Sequence, residues 1–367
     1  MGHAPRVGIV GVGVISGAYL QTLAPRSDIQ VAAIADLDPA RAATVAESVP
    51  GARALEVGAL LADPDVDLVL NLTIPAAHAE IALAAIANGK HVYGEKPLAV
   101  DLAGGQAVSD AATAAGVRLG SAPDTVLGTG TQTARAVIDE GRIGRPIAAT
   151  AVMANPGPEP WHPNPDFYFL PGGGPLMDMG PYYISALVHL LGPVTAVFGA
   201  ASRLRSERVI GSGPRAGERI PVDVDTHVSG ILEHASGVLS TLTTSFDSVK
   251  TSAAPIEIHG ESGSLSVPDP NMFSGDVSFC ALGSTEWELI EDRAGYVDAA
   301  RGIGLLDMLA APDDAHVRAS GRLALHTLEV MTAVLESART GVRVTLGTTV
   351  DRPPLVPLGS RFDLREL

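Results

Sequence analysis

The chain contains little cysteine and little positive charge. Cys280 is the single cysteine among 367 residues, so the chain cannot close an internal disulfide or build a cysteine-based metal site. Lysine and arginine number 25 against 41 aspartates and glutamates, a formal net charge of −16. Nucleic acids and anionic membranes are bound through basic surfaces, so we expect neither kind of partner.

Long apolar runs are also missing. No window reaches the roughly 18 consecutive apolar residues of a membrane helix. The first residues, MGHAPR, lack the apolar core of a signal peptide. From these two absences we expect a cytoplasmic protein.

Short apolar segments alternate with alanine-rich helical segments over the first 120 residues. A chain of 367 residues with 46% hydrophobic residues favours two domains, each with its own core. The apolar segments are typical of buried parallel strands, so this part predicts an α/β fold with a doubly wound parallel sheet. The predicted strands are residues 7–10, 29–35, 66–72, 91–93 and 117–120. The predicted helices are residues 17–24, 39–48, 76–88 and 102–115.

The pattern changes after a predicted helix at 125–140. Segments rich in valine, threonine and leucine follow, separated by glycine and serine turns, which predicts an antiparallel sheet and an α+β domain. We expect an amphipathic helix at 322–339 to pack on that sheet, and the arginine-rich segment 203–221 to be a surface loop. The predicted strands are residues 147–154, 194–201, 226–232, 237–246 and 256–259.

A glycine-rich turn follows the first predicted strand in VGIVGVGVISGAYL. Gly11 permits a tight turn, and Gly13 lets the backbone approach a pyrophosphate, with Val14 and Ile15 beside it at the start of a helix. Ser16 occupies the third position of the glycine fingerprint, so the pattern is imperfect. The alternative is a turn with only a structural role.

Asp36 ends the second predicted strand, in VAAIADLD. A carboxylate there accepts hydrogen bonds from the ribose of adenosine and repels a 2′-phosphate. No basic residue follows until Arg41, so the sequence favours NAD over NADP. The alternative is that Asp36 is a solvated strand end or a helix cap.

Polar residues also follow the fourth and fifth predicted strands. They are Asn71, Thr73, Pro75 and His78 in NLTIPAAHAE, and Glu95 and Lys96 in GEKP. Carboxyl ends of strands line the ligand crevice of a doubly wound sheet, so we expect these residues to share a cleft with the cofactor. Alternatively, the first group is only a strand-to-helix cap and Lys96 a solvated strand-end lysine. The chain has only three lysines, which argues against a chance position.

The segment PGGGPLMDMGPYYISALVHLLGP predicts a helix with one polar face. At about 100° per residue, Tyr182, Ser185 and His189 fall within roughly 40° of Asp178. Leu176, Ile184, Leu187 and Leu191 lie on the opposite side. We expect Asp178 and Tyr182 to face the substrate, whereas Ser185 and His189 have an ordinary polar role as the stronger alternative.

The proline-rich segment NPGPEPWHPNPDFYF predicts a loop. Trp161, His162, Asp166 and Tyr168 provide aromatic faces with carboxylate and imidazole groups, a combination suited to carbohydrate binding. A packed surface loop is the alternative. The spacing of His162, Asp178 and His189 matches no local metal-ligand motif, so we predict no zinc site.

Several segments together resemble the glucose–fructose oxidoreductase / inositol dehydrogenase (Gfo/Idh/MocA) family. They are VGIVGVGVIS, IAD, NLTIPAAHAEIALAAIANGKHVYGEKPLA and GGGPLMDMG, and the Glu-Lys-Pro motif is the most specific. The resemblance implies an NAD(P)-binding Rossmann domain, 1–123, and a substrate and oligomerisation domain with an open, mostly antiparallel sheet, 124–367. It also implies hydride transfer between nicotinamide and a sugar, cyclitol or related polyol, in a homodimer or homotetramer.

The resemblance gives the candidate residues their roles. Lys96 would polarise the reacting oxygen, and burial beside a cationic nicotinamide would lower its pKa. Tyr182 stands where relatives usually have the proton-transferring histidine of Asp-x-Gly-x-His, so Tyr182 or Asp178 would complete proton transfer. Asp124-Thr125 stands where many relatives have Asn-x-Arg.

Two other functions occur on the same scaffold. One is a glycosidase that uses bound NAD transiently, and the other is a non-catalytic sugar or nucleotide sensor. The intact Glu-Lys-Pro motif, together with Asp178, argues against the sensor.

Overall fold

The chain folds into two compact units, each built from separate segments. The computed structural model describes residues 4–362 and residue 364. The first unit contains the chain up to Leu127, Tyr296–Leu325 and the chain from Gly359. The second contains Gly128–Gly295 and His326–Leu358. The functional division after residue 123 stays a prediction.

A six-stranded parallel sheet forms the centre of the first unit. Its strands are β1 (Arg6–Val10), β2 (Gln30–Ala35), β3 (Arg53–Ala54), β4 (Leu68–Asn71), β5 (His91–Gly94) and β6 (Leu119–Ser121). The helices between them are α1 (Ser16–Leu23), α2 (Pro39–Glu47), α3 (Val57–Ala62), α4 (His78–Ala87) and α5 (Leu102–Ala115). The strand order is β3-β2-β1-β4-β5-β6, which confirms the predicted doubly wound sheet. The order reverses between β1 and β4, the switch point where such sheets bind ligands.

The sequence explains most of these elements. Ile9, Ile34 and Leu70 in the central strands are fully buried, as expected for apolar strands covered on both faces. Asp38 caps α2 by accepting hydrogen bonds from the first free N–H groups, with Pro39 at the first helical position. The short β3 and α3 were not predicted, because two and six residues are too few to show a period.

A nine-stranded sheet dominates the second unit. Its strands are β7 (Pro146–Ala154), β8 (Val194–Ser202), β11 (His227–His234), β12 (Leu239–Ser245), β13 (Ile256–Gly260), β14 (Gly263–Val267), β15 (Val277–Ala281), β16 (Glu288–Ile290) and β17 (Val344–Thr345). Their order in the sheet is β16-β15-β14-β13-β7-β12-β11-β8-β17. Only β7 and β12 pair in parallel, and the other neighbours are antiparallel, which confirms the predicted mostly antiparallel sheet.

Helices pack against this sheet. The helices of the second unit are α6 (Thr129–Asp139), α7 (Pro175–Leu191) and, from His326 onward, α9 (Gly321–Thr340). Helix α8 (Ile303–Ala310) belongs to the first unit. The predicted packing of α9 on the sheet is confirmed at Gly199 of β8, where an added Cβ would lie 2.1 Å from the Val334 carbonyl oxygen. Within the described residues, no helix is long and apolar enough to span a membrane.

The prediction of a surface loop at 203–221 is wrong in part. The segment contains an antiparallel pair, β9 (Glu207–Val209) and β10 (Arg219–Pro221). The Arg208 side chain is only 2% exposed, and its guanidinium pairs with Glu159 at 2.7 Å and Asp247 at 2.6 Å. Arginine content alone indicates a solvated segment, but a guanidinium with two carboxylate partners can be buried.

Candidate active site

The backbone of the glycine turn after β1 can be approached closely by neighbouring groups. Gly11 has φ = +91°, and a Cβ there would lie 2.8 Å from the Leu72 carbonyl group. Only glycine fits such a position without strain. A Cβ on Gly13 would instead enter open space. The turn is therefore packed at Gly11 and open at Gly13, as a backbone that receives a pyrophosphate must be.

Asp36 lies beside this turn at the end of β2. Its carboxylate accepts hydrogen bonds from the backbone N–H groups of Val12 at 2.8 Å and of Asp38 at 2.9 Å. The Arg41 guanidinium is 3.9 Å away. An ionised carboxylate offers about four lone-pair positions. The turn thus fixes Asp36 in place and leaves it the capacity to accept from ribose hydroxyls.

Three apolar side chains are exposed where β1, β2 and β4 end. Val14 is 98%, Leu37 96% and Ile74 65% exposed. Exposed apolar groups that border a polar site favour a ligand with flat apolar faces, such as a dinucleotide. Leu37 and Ile74 were not predicted as site residues from the sequence. The signal was an apolar residue in each turn, directly after Asp36 and directly before Pro75.

The turn between β4 and α4 is held by Asn71 and His78, which are 1% and 3% exposed. The Asn71 amide donates to the His78 carbonyl at 3.0 Å, and its oxygen accepts from the Thr73 hydroxyl at 2.7 Å. Pro75 begins a single 3₁₀ turn before the helix. Both buried side chains are therefore engaged within the protein, and their contacts with a cofactor stay predictions.

The Glu95–Lys96 turn lies against the β4 turn. The Glu95 N–H donates to the Asn71 carbonyl at 2.8 Å. His78 Nδ1 lies 2.6 Å from the Pro97 carbonyl, and Nε2 lies 3.0 Å from the Thr73 carbonyl. The predicted group of Asn71, His78, Glu95 and Lys96 is thus brought together at the carboxyl edge of the sheet. Lys96 and Glu95 are both half-buried.

A cavity of about 400 Å³ opens in the second unit. Its volume is in the range of small-molecule sites. Its lining includes Trp161, Asp178, Met179, Tyr183, Asp269 and Asn271. Asp178 lies in the first turn of α7, where the helix dipole favours a carboxylate. Trp161 is 64% exposed and provides an aromatic face. The cavity therefore contains two of the predicted substrate-binding residues.

Two adjacent tyrosines occupy different environments. Tyr183 lines the cavity, and its hydroxyl donates to Asp269 at 3.4 Å. Burial, then the Asp269 charge, raises the pKa of Tyr183. Tyr182 is only 6% exposed. The proton-transfer role of Tyr182 remains a prediction, and Tyr183 is a cavity residue that was not predicted from the sequence.

The rest of the predicted polar face of α7 lies inside the unit. Ser185 Oγ is 3.4 Å from the Thr327 hydroxyl, and His189 Nδ1 is 3.4 Å from the Gln132 amide. Ser185 is 2% and His189 0% exposed. Both residues therefore have the structural role that we kept as the alternative, and Asp178 is the member of this face that reaches the cavity.

His162 packs among aromatic rings. Its ring meets Trp161 edge-on at 5.4 Å and Tyr168 at 5.6 Å. Burial lowers the His162 pKa, so the neutral ring is favoured. Asp166 pairs with Arg215 at 2.6 Å. The carboxylate that we expected to bind a carbohydrate is therefore engaged in an ion pair. His162 thus supports the Trp161 ring at the cavity wall.

Asp124 is fully buried in the first unit. Its carboxylate accepts from the N–H groups of Gly302 at 2.7 Å and Gly304 at 3.2 Å, and Arg301 lies 3.7 Å away. Burial raises the pKa of Asp124 to about 6. Asp124 therefore holds the start of α8 through these two backbone N–H groups.

Two protein-family models match the chain. Residues 5–122 match the model described as an oxidoreductase family with an NAD-binding Rossmann fold. Residues 131–266 match the Gfo/Idh/MocA C-terminal domain. The chain belongs to the Gfo/Idh/MocA oxidoreductase family, as its motifs predicted. The family binds NAD through the unit that carries the glycine turn.

Individual relatives agree with this family. A 1,5-anhydro-D-fructose reductase from Ensifer adhaerens is 32% identical over 265 residues, 71% of this chain and 74% of the relative. Inositol 2-dehydrogenase 3 from Saccharopolyspora erythraea is 37% identical over 166 residues, 43% of this chain and 47% of the relative. The second match thus spans about half of that relative. An NAD-binding oxidoreductase from Klebsiella pneumoniae has a similar fold, with a TM-score of 0.79, 23% identity and coverage of 93% of this chain and 98% of that one.

Proposed function

We propose that the protein is an NAD-dependent dehydrogenase or reductase that acts on a neutral sugar, cyclitol or related polyol. The observation that carries this proposal is the Glu95–Lys96 turn at the carboxyl edge of the dinucleotide-binding sheet. The names of the relatives, an inositol dehydrogenase and an anhydrofructose reductase, support the substrate class. NAD, when bound, supplies the nicotinamide C4 that exchanges a hydride with a substrate carbon.

The side chain of Lys96 is suited to polarise the reacting oxygen of the substrate. An ammonium beside that oxygen polarises a carbonyl or stabilises a developing alkoxide. A lysine can also release its proton near neutral pH, which an arginine cannot. We assign Lys96 the polarising role and Glu95 the role of holding the lysine turn.

We assign proton transfer to Asp178 and Tyr182. A carboxylate in the first turn of α7 accepts a proton or a hydroxyl hydrogen bond, and a phenol near an ammonium donates or accepts one. The aromatic wall of Trp161 and His162 supports binding of the apolar face of a sugar ring.

We propose NAD as the preferred cofactor. Asp36 retains two acceptor positions beside the glycine turn, and its charge opposes a 2′-phosphate. Asn71, Thr73, Pro75, His78 and Ile15 complete the proposed contacts. Arg41, 3.9 Å from Asp36, is the cation that would favour NADP if Asp36 were removed.

We propose a homodimer or homotetramer formed through the nine-stranded sheet. Phe198 on β8 and Ile231 on β11 are paired in register and are 42% and 43% exposed. Leu239 on β12 is 52% exposed. Adjacent apolar side chains on an open sheet favour burial against a second copy.

The test is a panel of polyols, sugars and keto-sugars, assayed with NAD and with NADP by absorbance at 340 nm. We expect NADH formation with at least one neutral polyol and a lower KM for NAD than for NADP. Hydrolysed glycoside without accumulating NADH would instead indicate a glycosidase. Sugar binding by calorimetry, with no absorbance change across the panel, would indicate a sensor.

A further inference from the structure

Tyr19 connects α1 to the turn that carries Lys96. Its side chain is fully buried, and its hydroxyl donates a hydrogen bond to Glu95 Oε1 at 2.7 Å. The other oxygen, Glu95 Oε2, accepts from the Lys96 backbone N–H at 3.1 Å. One carboxylate thus links the helix that follows the glycine turn to the proposed catalytic lysine.

The hydroxyl of Tyr19 remains a donor over the working pH range. Burial, followed by the charges of Glu95 and Asp124 and by Tyr93, raises the Tyr19 pKa well above its usual value. Arg301 lies 3.7 Å from Asp124 and is the cation near these buried side chains. The Tyr19 hydroxyl therefore stays protonated and keeps its hydrogen bond to Glu95.

We propose that Tyr19 is a positioning residue for hydride transfer, acting through Glu95 on Lys96. The inference rests on the proposed dehydrogenase function. With Tyr19 in place, one oxygen of Glu95 is held by the phenol and the other by the Lys96 backbone. Without the phenol, Glu95 loses one of these two hydrogen bonds, so the Lys96 turn is held less precisely for the reacting oxygen.

The test compares Tyr19→Phe, Glu95→Ala and the double variant with the wild type. Tyr19→Phe should lower kcat about tenfold, the effect of losing a hydrogen bond to a charged group, with the KM for NAD within about twofold of wild type. In the Glu95→Ala background, Tyr19→Phe should cause no further loss, because the two residues act as a unit.

Tyr93→Phe is the matched control. Tyr93 is also fully buried, and its hydroxyl has no hydrogen-bond partner among the described residues. This variant should keep wild-type kcat. An equal loss in Tyr93→Phe, an unchanged kcat in Tyr19→Phe, or the same tenfold loss in the Glu95→Ala background would overturn the inference alone. A wild type that forms no NADH with any substrate would overturn the proposed function and this inference with it.

Discussion

His326 gives the stability of the second unit a defined pH dependence. It lies in α9 and is fully buried. Nε2 accepts from the Val194 N–H at 3.0 Å, and Nδ1 lies 2.9 Å from the Thr348 hydroxyl. Because Nε2 is the acceptor, Nδ1 carries the proton of the neutral ring. Burial lowers the pKa of His326 to about 4, against the opposing charge of Glu329.

The folded and unfolded states of the protein take up the His326 proton at different pH values. The unfolded residue, with its ordinary pKa of 6.5, is protonated before the folded one as pH falls. The stability from neutral His326 is therefore present above about pH 6.5 and is lost as pH falls toward 4. Each pH unit between the two values is worth about 1.4 kcal/mol, so the loss from pH 7.5 to pH 5.0 is about 2 kcal/mol.

The assay is urea unfolding of the wild type and His326→Gln at pH 7.5 and 5.0. The glutamine oxygen can still accept from the Val194 N–H, and it does not titrate. Trp161 and Trp287 both belong to the second unit, so their fluorescence reports on it. The wild type should lose about 2 kcal/mol more than the variant on acidification. Equal losses in the two proteins would refute the assignment.

Three further substitutions test other parts of the account. Because its folded pKa of about 6 is raised, Asp124 contributes stability below about pH 4 that is lost as pH rises through 6, about 3 kcal/mol. Urea unfolding from pH 4 to 7 should show that Asp124→Asn lacks this loss, and a parallel profile would contradict it. Asp36→Ala should weaken NAD binding about tenfold by calorimetry and reduce the preference over NADP, whereas an unchanged preference would exclude Asp36 as its source. Arg208→Met leaves Glu159 and Asp247 without their cation and should lower the free energy of unfolding by about 3–5 kcal/mol in urea, and a loss below about 1 kcal/mol would show that the pairs are not needed.

The parallel sheet and its ligand edge could be predicted from the sequence. Strands such as β1 and β4 could be predicted because each lies in a continuous run of apolar residues. The glycine turn and Asp36 indicate the carboxyl edge of the sheet by residue type alone. Once the strand order is known, the approach of the Asn71 and Glu95 turns follows. These features depend on short stretches of chain, which a single sequence displays.

Long-range pairings could not be predicted in the same way. The segment Tyr296–Leu325 joins the first unit through contacts such as Gly302 with Asp124, and no local pattern indicates this. The burial of Arg208 depends on Glu159 and Asp247, which are far away in the sequence. The hydrogen bond between Tyr19 and Glu95 spans 76 positions, so neither residue indicates the other.

Lys96 is the most direct test of the proposed function. The measurement is NADH formation at 340 nm by the wild type and Lys96→Met with the best substrate of the panel, beside NAD binding by calorimetry. We expect the wild type to form NADH and the variant to show no detectable turnover, with an NAD dissociation constant within about threefold of wild type, since a kcat-selective loss marks a transition-state interaction. Undiminished turnover in Lys96→Met would contradict the account.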